Sequence, residues 1–442
     1  MNIESIDAYN LKLKKPTRNQ YEFQRFCLDD LIPENHKVHL IWNFVAEMDL
    51  SVCLNGIHSF KGAAGRPSVD PRIMLTLWIY SIIDGNASAR KLEELCQHHN
   101  VYKWICGGVL VNRTSLAEFR STNPRKFDEL LVSCLAVMVK SGLVSDSDFS
   151  QDGTRVKANA GMNSFRREDT LKQIEVKLTE HIELLRTEEK GNLNMYEKRK
   201  LANKERLAEE KKSRVRAALD TLYASRFQKI ANTKRNHDTV SKDDLENIRS
   251  SITDPQVRKM KMGDGGYRLA YNVQFATGLD SRVIYGVDVV SALDPGTPPR
   301  LMAQVQEVLK RLKLDKIKNW IADAAYSSKN DIITAAQLFS DCFYFAPPKP
   351  NKNVDPKIVK KDECEAVKNW RESIGSEHTC KLYRKRCSTA EFSNMQVKNH
   401  ALREFLVRGL VKVRGSAFLH ALAVNIQRAM DLMKNKINSI KF

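Results

Sequence analysis

The 442-residue chain is long enough for two or three domains, and at 42% hydrophobic residues most of it is expected to fold. Its 72 Lys and Arg against 53 Asp and Glu give a formal net charge of +19, a balance that points to a polyanionic partner, nucleic acid foremost. No run approaches the roughly 20 apolar residues that cross a bilayer, the first 20 residues lack an apolar signal core, and nine scattered Cys without a CxxC pair suit a reducing cytoplasm rather than a disulfide framework.

Apolar residues across 36–54, from Val38 through Leu50, predict one helix. Gly62, Gly65 and Pro67 mark a loop. Three helical segments follow. The first covers 71–83, capped by Asp70 with Pro71 at its first position. The second covers 88–106 and stops at Gly107-Gly108. The third covers 115–140, with a break near Pro124 and a stop at Gly142. Residues 1–145 therefore read as an all-α N-terminal domain.

The pattern then changes. Residues 147–152 form a short strand running into the turn Asp152-Gly153-Thr154. Between about 165 and 250 the chain is polar and basic. Leu171, Ile174, Leu178, Ile182 and Leu185 make one apolar face. Gly191-Asn192 breaks the run before a second helix over 196–231. This is a helical hairpin, equally a solvated charged pair or a surface that meets DNA. Two β-rich segments, 267–277 and 282–291, flank a hairpin turn at 278–280. A helix over 298–312, a strand over 317–322 ending at Asp323, a helix over 329–339 and a strand over 342–346 follow. Residues 349–375 read as loop-rich. Two long helices, 388–413 and 416–437, part near Gly415. The order gives a mixed α/β domain over 146–442 with a long helical insertion after its first strand.

Asp323 stands where an apolar strand ends, the position where open α/β sheets build ligand sites. Asp152 ends the first strand before a glycine, and Glu391 lies near the start of a C-terminal helix. Asp146, Asp148, Asp264, Asp288 and Asp294 compete with them on composition alone. Clustered carboxylates repel one another without a cation. Two hard ions about 4 Å apart, held by a few such oxygens, stabilise both the attacking and leaving oxygens of a phosphodiester exchange.

Several blocks, in order, resemble the bacterial insertion-sequence transposases that carry a DDE catalytic domain of RNase H-like fold. The N-terminal part is carried by Gly65-Arg-Pro-Ser-Val-Asp-Pro71, Ser88-Ala-Arg-Lys-Leu-Glu93, Trp104 to Gly108 and Thr114 to Arg120. The catalytic part is carried by Gln151-Asp-Gly-Thr-Arg-Val-Lys-Ala158, Tyr271-Asn-Val-Gln274 and Ile321-Ala-Asp-Ala-Ala-Tyr-Ser327. The tail adds Tyr383-Arg-Lys-Arg386, Thr389-Ala-Glu391, Lys398 and Phe405-Leu-Val-Arg-Gly-Leu-Val-Lys-Val413.

The resemblance implies that Asp152, Asp323 and Glu391 are the catalytic acids and hold two Mg²⁺ ions, with Mn²⁺ able to substitute. It implies DNA-phosphate contacts from Tyr383, Arg386, Lys398 and Arg408, with Arg384 and Lys385 as rivals of Arg386 because the Arg-to-Glu gap is one residue longer than in the best-known signature. Tyr326 either stacks on a base or fills the core. Arg403, Arg408, Lys412 and Arg414, interleaved with Leu402, Phe405, Leu406 and Leu410, read as an amphipathic basic helix. The implied activity is cleavage of transposon ends and strand transfer into target DNA, by a dimer on double-stranded DNA in the nucleoid-associated cytoplasm. A nuclease of the same fold that does not join strands, or a non-enzymatic DNA-binding relative, are the alternatives. Cys364, His378, Cys380 and Cys387 fit no zinc-knuckle spacing, and no Walker-type glycine loop is present.

Overall fold

The computed structural model describes residues 27–55, 57, 67–121, 125–187, 194–235, 240–291, 296–349, 355–359 and 361–440. The expected loop at Gly62 and Gly65, the break near Pro124, the hairpin tip at Gly191-Asn192 and the competing acid Asp294 lie outside them.

Seven helices open the described chain: α1 Lys37–Glu47, α2 Ser51–Leu54, α3 Pro71–Ile83, α4 Ala89–His98, α5 Asn100–Cys106, α6 Arg113–Ser121 and α7 Arg125–Lys140. Their ends follow from local chemistry. Asp70 accepts a hydrogen bond from the Arg72 backbone N–H at 2.8 Å, with Pro71 in the first turn. Gly107, at φ +56°, closes α5 in the left-handed region, where a glycine is not penalised. The single helix expected over 36–54 is two. Met48, extended at ψ 142°, ends α1, and Asp49 then accepts from the Ser51 backbone N–H.

Strand β1 Asp148–Lys157 leads to a small ribbon, β2 Phe165–Arg166 with β3 Ser250–Ser251. Between the ribbon strands lie α8 Glu168–Thr187, α9 Met195–Arg235 and α10 Lys242–Glu246. The helical hairpin has its own small cores: Leu171 and Leu178 against Val215, Ala218, Leu219 and Leu222, then Ile182 and Leu185 against Leu201 and Ala208. The apolar face read from the sequence is the face that is buried. At the base of the hairpin Glu168 accepts from the Tyr223 hydroxyl at 2.9 Å and pairs with Arg226.

The chain continues through β4 Arg258–Lys261, β5 Tyr267–Gly278, β6 Ile284–Val290, α11 Pro298–Leu312, β7 Asn319–Ile321, α12 Lys329–Leu338, β8 Phe343–Phe345, α13 Glu365–Ser373, α14 Glu377–Asn399 and α15 Leu410–Ile440. The sheet order is β4-β5-β1-β7-β8, with β6 also paired to β5. The β1–β5, β4–β5 and β5–β6 pairs are antiparallel, whereas β1–β7 and β7–β8 are parallel. A single apolar core runs from Ile32 through the sheet to Met430. Helix α15 packs on α3, α6 and α7 as well as on β6, so the N-terminal helices and the sheet share it.

Five further expectations are corrected. Strand β1 is longer than 147–152, so Asp152 sits inside it rather than at its end. Residues 349–375 contain α13. The late helices do not part at Gly415, and Glu391 is far from a helix start, because α14 already begins at Glu377. Gly415 serves packing instead: a Cβ there would come 2.6 Å from the Arg120 carbonyl oxygen and 2.9 Å from the Phe127 ring. The break falls before α15, with Ala401 at φ +69° and Gly409 at φ +83°. The expected basic helix is therefore largely a loop. Phe405 N–H donates to the Lys157 carbonyl at 2.8 Å, and Lys157 N–H donates to the Arg403 carbonyl. Backbone partners at the end of β1 replace the ones a helix would supply.

Candidate active site

Parallel pairing brings two acids together. β1 and β7 run in register from Asp148↔Asn319 to Ser150↔Ile321. Extending that register by two residues sets Asp152 opposite Asp323. The Asp323 Oδ1 accepts from Ala325 N–H at 2.7 Å and caps the short 3₁₀ turn Ala324–Tyr326. Asp152 Oδ1 accepts from its neighbour Gly153 N–H at 2.8 Å. A Cβ at Gly153 would meet the Gln274 Nε2 at 2.3 Å and the Asn272 Oδ1 at 2.8 Å, so the glycine beside the acid is required by packing.

Helix α14 crosses this pair. The Arg386 Nη2 lies 3.6 Å from Asp152 Oδ1 and 3.9 Å from Asp323 Oδ2. Adding the two distances bounds the separation of those oxygens at 7.5 Å. Arg386 is only 8% exposed, and its Nε has no hydrogen-bond partner among the described residues. Two turns further on, Asn394 Nδ2 donates to Asp152 Oδ2 at 2.9 Å. The small, buried Ala390 lies between these two residues on the helix and leaves room for the acid. Both Asp152 oxygens are thus addressed from α14.

Glu391 lies on the same helix, exposed, and lines a shallow hollow with Asn394, Met395, Lys398, Asn399 and Arg403. Among the described residues no three His, Cys, Asp or Glu side chains lie close enough together to hold a metal ion. Arg386 reaches both Asp152 and Asp323 and Asn394 reaches Asp152, whereas Glu391, expected as the third acid, is not grouped with them among the described residues.

The remaining residues expected at the site are spread along α14 and the loop after it. Tyr383 is half-buried, edge-on to Phe345 with ring centroids 6.3 Å apart, and the Arg386 guanidinium sits 5.6 Å from its ring centre. Burial raises its phenol pKa. Lys398 is exposed towards the end of α14. Arg408 is exposed in the loop, with its Nε donating to the Asn159 carbonyl at 2.9 Å. Of the rivals of Arg386, Lys385 pairs with Asp280 at 2.8 Å, and Arg384 is exposed.

The competing acids have structural partners. Asp146 is buried and accepts from the Ser281 N–H at 3.0 Å and from the Tyr285 hydroxyl at 3.1 Å. Asp148 accepts from Asn319 Nδ2, Asp264 closes a turn to Gly266 N–H, and Asp288 pairs with Arg300. Tyr326 fills the core, 1% exposed, and donates to the Gln274 Oε1 at 2.6 Å. Gln151 joins the same network, accepting from Trp320 Nε1 at 3.1 Å and donating to Gln274 at 3.0 Å. This amide layer underlies the acids and holds β1 against β5 and β7.

Asn394 carried no signal in the sequence beyond its place eight residues after Arg386, near one helical face. Gln151 and Gln274 stand in blocks that carry the resemblance, but no role was expected of them.

Two family models match the chain. One, described as Transposase domain (DUF772), covers residues 26–122; the other, described as Transposase DDE domain, covers residues 349–430. The first spans α1 to α6. The second spans Tyr383, Arg386, Glu391, Lys398 and Arg408 but neither Asp152 nor Asp323. No curated protein and no solved structure gives a significant match. Among the described residues no helix is long and apolar enough to cross a membrane.

Proposed function

From the premise that this chain is an insertion-sequence transposase of the DDE type, carrying both transposase domains that match it, we propose that it cleaves transposon ends and joins them to target DNA at Asp152, Asp323 and Glu391. The observation that carries this reading is the Asp152–Arg386–Asp323 cluster, with Asp152 inside β1 and Asp323 just beyond the end of the neighbouring parallel strand β7. Like charges gathered in this way need a cation, and strand ends in such sheets are where ligands bind. The sheet supports an RNase H-like assignment: an antiparallel trio β6-β5-β1 is extended by the parallel strands β7 and β8, and the helical insertion follows β1. In this reading residues 1–145 form the helical domain that binds the element's ends, and two copies work as a dimer on paired ends.

The two aspartates are the kind of oxygen donor a hard divalent ion takes, but among the described residues no third acid is grouped with them. Asp152 and Asp323 offer carboxylate oxygens, and Glu391 is exposed on α14, the helix whose Arg386 reaches both of them. Asp152, Asp323 and Glu391 would hold Mg²⁺, or Mn²⁺ in its place. When bound, the ions supply charge stabilisation at the oxygens being exchanged on phosphorus.

The chain's own residues position the DNA. Arg386, turned inward, balances the aspartate pair and can offer a second N–H to a phosphate oxygen. Lys398 and Arg408 are exposed and carry charge to the DNA backbone. At the element's end water attacks phosphorus and the 3′-oxygen leaves. The 3′-hydroxyl so freed attacks a target phosphodiester, whose own 3′-oxygen leaves.

The test is a cleavage and strand-transfer assay on DNA carrying the element's ends. Asp323→Asn and Asp152→Asn should each abolish both steps while leaving DNA binding within about threefold. Cleavage at the wild-type rate in either variant overturns the assignment. Joined products from pre-cleaved ends separate a transposase from a nuclease that only cuts.

A further inference from the structure

The turn that joins β5 to β6 is pinned from two sides. From α14, Thr389 Oγ1 donates to the Leu279 carbonyl at 3.3 Å and Lys385 Nζ reaches Asp280 at 2.8 Å. From α15, Arg428 Nε donates to the Ser281 carbonyl at 2.8 Å. The next residue, Arg282, stands at φ +60°, a left-handed conformation that residues with a side chain rarely adopt. Its guanidinium lies 5.6 Å from the centre of the Phe392 ring, and the Arg428 guanidinium lies 5.7 Å from the same ring. Two like charges therefore share one half-buried aromatic ring. Among the described residues neither guanidinium has a carboxylate within ion-pair distance. Burial lowers the pKa of Arg428 and the charge of Arg282 adds to that effect, with Asp431 countering it in part.

We infer that Arg282 and Arg428, gathered on Phe392, form a second DNA-backbone site that grips a phosphodiester away from the point of cutting. A phosphate oxygen accepts from guanidinium N–H groups, and its charge ends the repulsion between the two arginines. Phe392 precedes Asn394 by two residues, about 200° around the helix axis, so this site lies on the flank of α14 turned away from Asp152. Such a contact reads no base; it sets where the duplex lies. The turn is already held by its bonds to α14 and α15, so little ordering remains to be done when DNA arrives. The inference rests on the reading of this chain as a protein that acts on DNA, and it adds a surface beyond Tyr383, Arg386, Lys398 and Arg408.

The experiment measures binding of the full-length protein to a labelled mixed-sequence DNA duplex, by fluorescence anisotropy over a series of KCl concentrations. The slope of log affinity against log salt counts the phosphates contacted, at about 0.9 per phosphate. Arg282→Gly and Arg428→Gln should each lower the slope by about one phosphate and weaken binding about threefold or more at roughly 0.1 M salt. Glycine also suits the left-handed backbone at 282, so Arg282→Gly should melt no lower than the wild type. Should Arg428→Gln not fold, because its bond to Ser281 is lost, Arg282→Gly decides alone. A slope for Arg282→Gly within about 0.3 of the wild type assigns the arginines to packing on Phe392 and overturns the inference. Lys313→Gly is the matched control, removing one exposed charge from a left-handed position, φ +56°, at the end of α11. It should leave the slope unchanged; an equal fall there would make net charge the cause and overturn the site. A wild type without salt-dependent duplex binding fails the DNA reading and takes this inference with it. If the wild type binds and Arg282→Gly binds alike, only the inference fails.

Discussion

Helices α9 and α14 are both polar and both rich in Lys and Arg, yet their charges meet opposite fates. On α9 the ionic partners lie across the hairpin at the surface. Arg186 of α8 reaches Glu205 and Glu209 at 2.7 and 2.8 Å, and Arg216 reaches Glu175 at 2.7 Å, each arginine more than half exposed. On α14 the Arg386 guanidinium is turned inward between two aspartates of the sheet. The difference teaches that charge density along a helix says little. What counts is whether the helix lies on strands whose ends carry the opposite charge. Helix α14 packs on β1, β5 and β7, and α9 packs chiefly on α8.

Four outcomes would sharpen or break that contrast, and the largest belongs to α14. Removing one member of a buried charge cluster leaves the others uncompensated. Arg386→Ala is therefore expected to lower unfolding stability by about 3 kcal/mol, the low end for a broken buried pair because Asp323 is partly exposed. Urea unfolding monitored by circular dichroism checks it; a loss under 1 kcal/mol would mean that Arg386 is as dispensable as a surface arginine.

Close to it in size is a pH effect in α15. His420 is fully buried, and burial holds its pKa down to about 4, from an ordinary 6.5. The folded state therefore disfavours the imidazolium. Stability is whole above pH 6.5 and declines as pH falls towards 4, by roughly 3 kcal/mol if the full shift is expressed. Unfolding curves at pH 7 and pH 4.5 measure the decline, and His420→Gln should flatten the part of the slope that belongs to this residue.

Gly153→Ala tests the floor under the acids. The added methyl would overlap the Gln274 amide, so a loss of about 1–3 kcal/mol is expected, together with slower cleavage as Asp152 shifts. A variant of unchanged melting temperature and activity would show that the amide layer yields. The smallest effect is expected on the hairpin. Arg186→Ala should change stability by at most about 1 kcal/mol, and less at high salt. A loss equal to that of Arg386→Ala would remove the distinction between the hairpin and α14.

Much was legible in the chain because its information is local. The caps at Asp70 and Gly107, the apolar face of α8 and the β-rich composition of β5 and β6 depend on neighbours a few residues away. Asp323 stands just past a strand as expected, whereas Asp152 lies inside β1, which runs on to Lys157. The helix expected over 388–413 does not continue through Arg403 and Phe405, because backbone bonds to Lys157, some 250 residues earlier in the sequence, replace the helical ones. Gly415 was misread for the same reason: its neighbour is the Arg120 carbonyl, which no window around residue 415 contains.

Local sequence, then, carried the caps and the apolar face of α8, because side-chain periodicity and capping act within a few residues; it did not carry α13, the break between α1 and α2 or the length of β1. Only the tertiary structure decided which acids meet, that Arg386 faces inward, and that Asn394 reaches Asp152. Those outcomes depend on the β1–β7 register and on where α14 crosses the sheet, and both are fixed by packing between segments far apart along the chain.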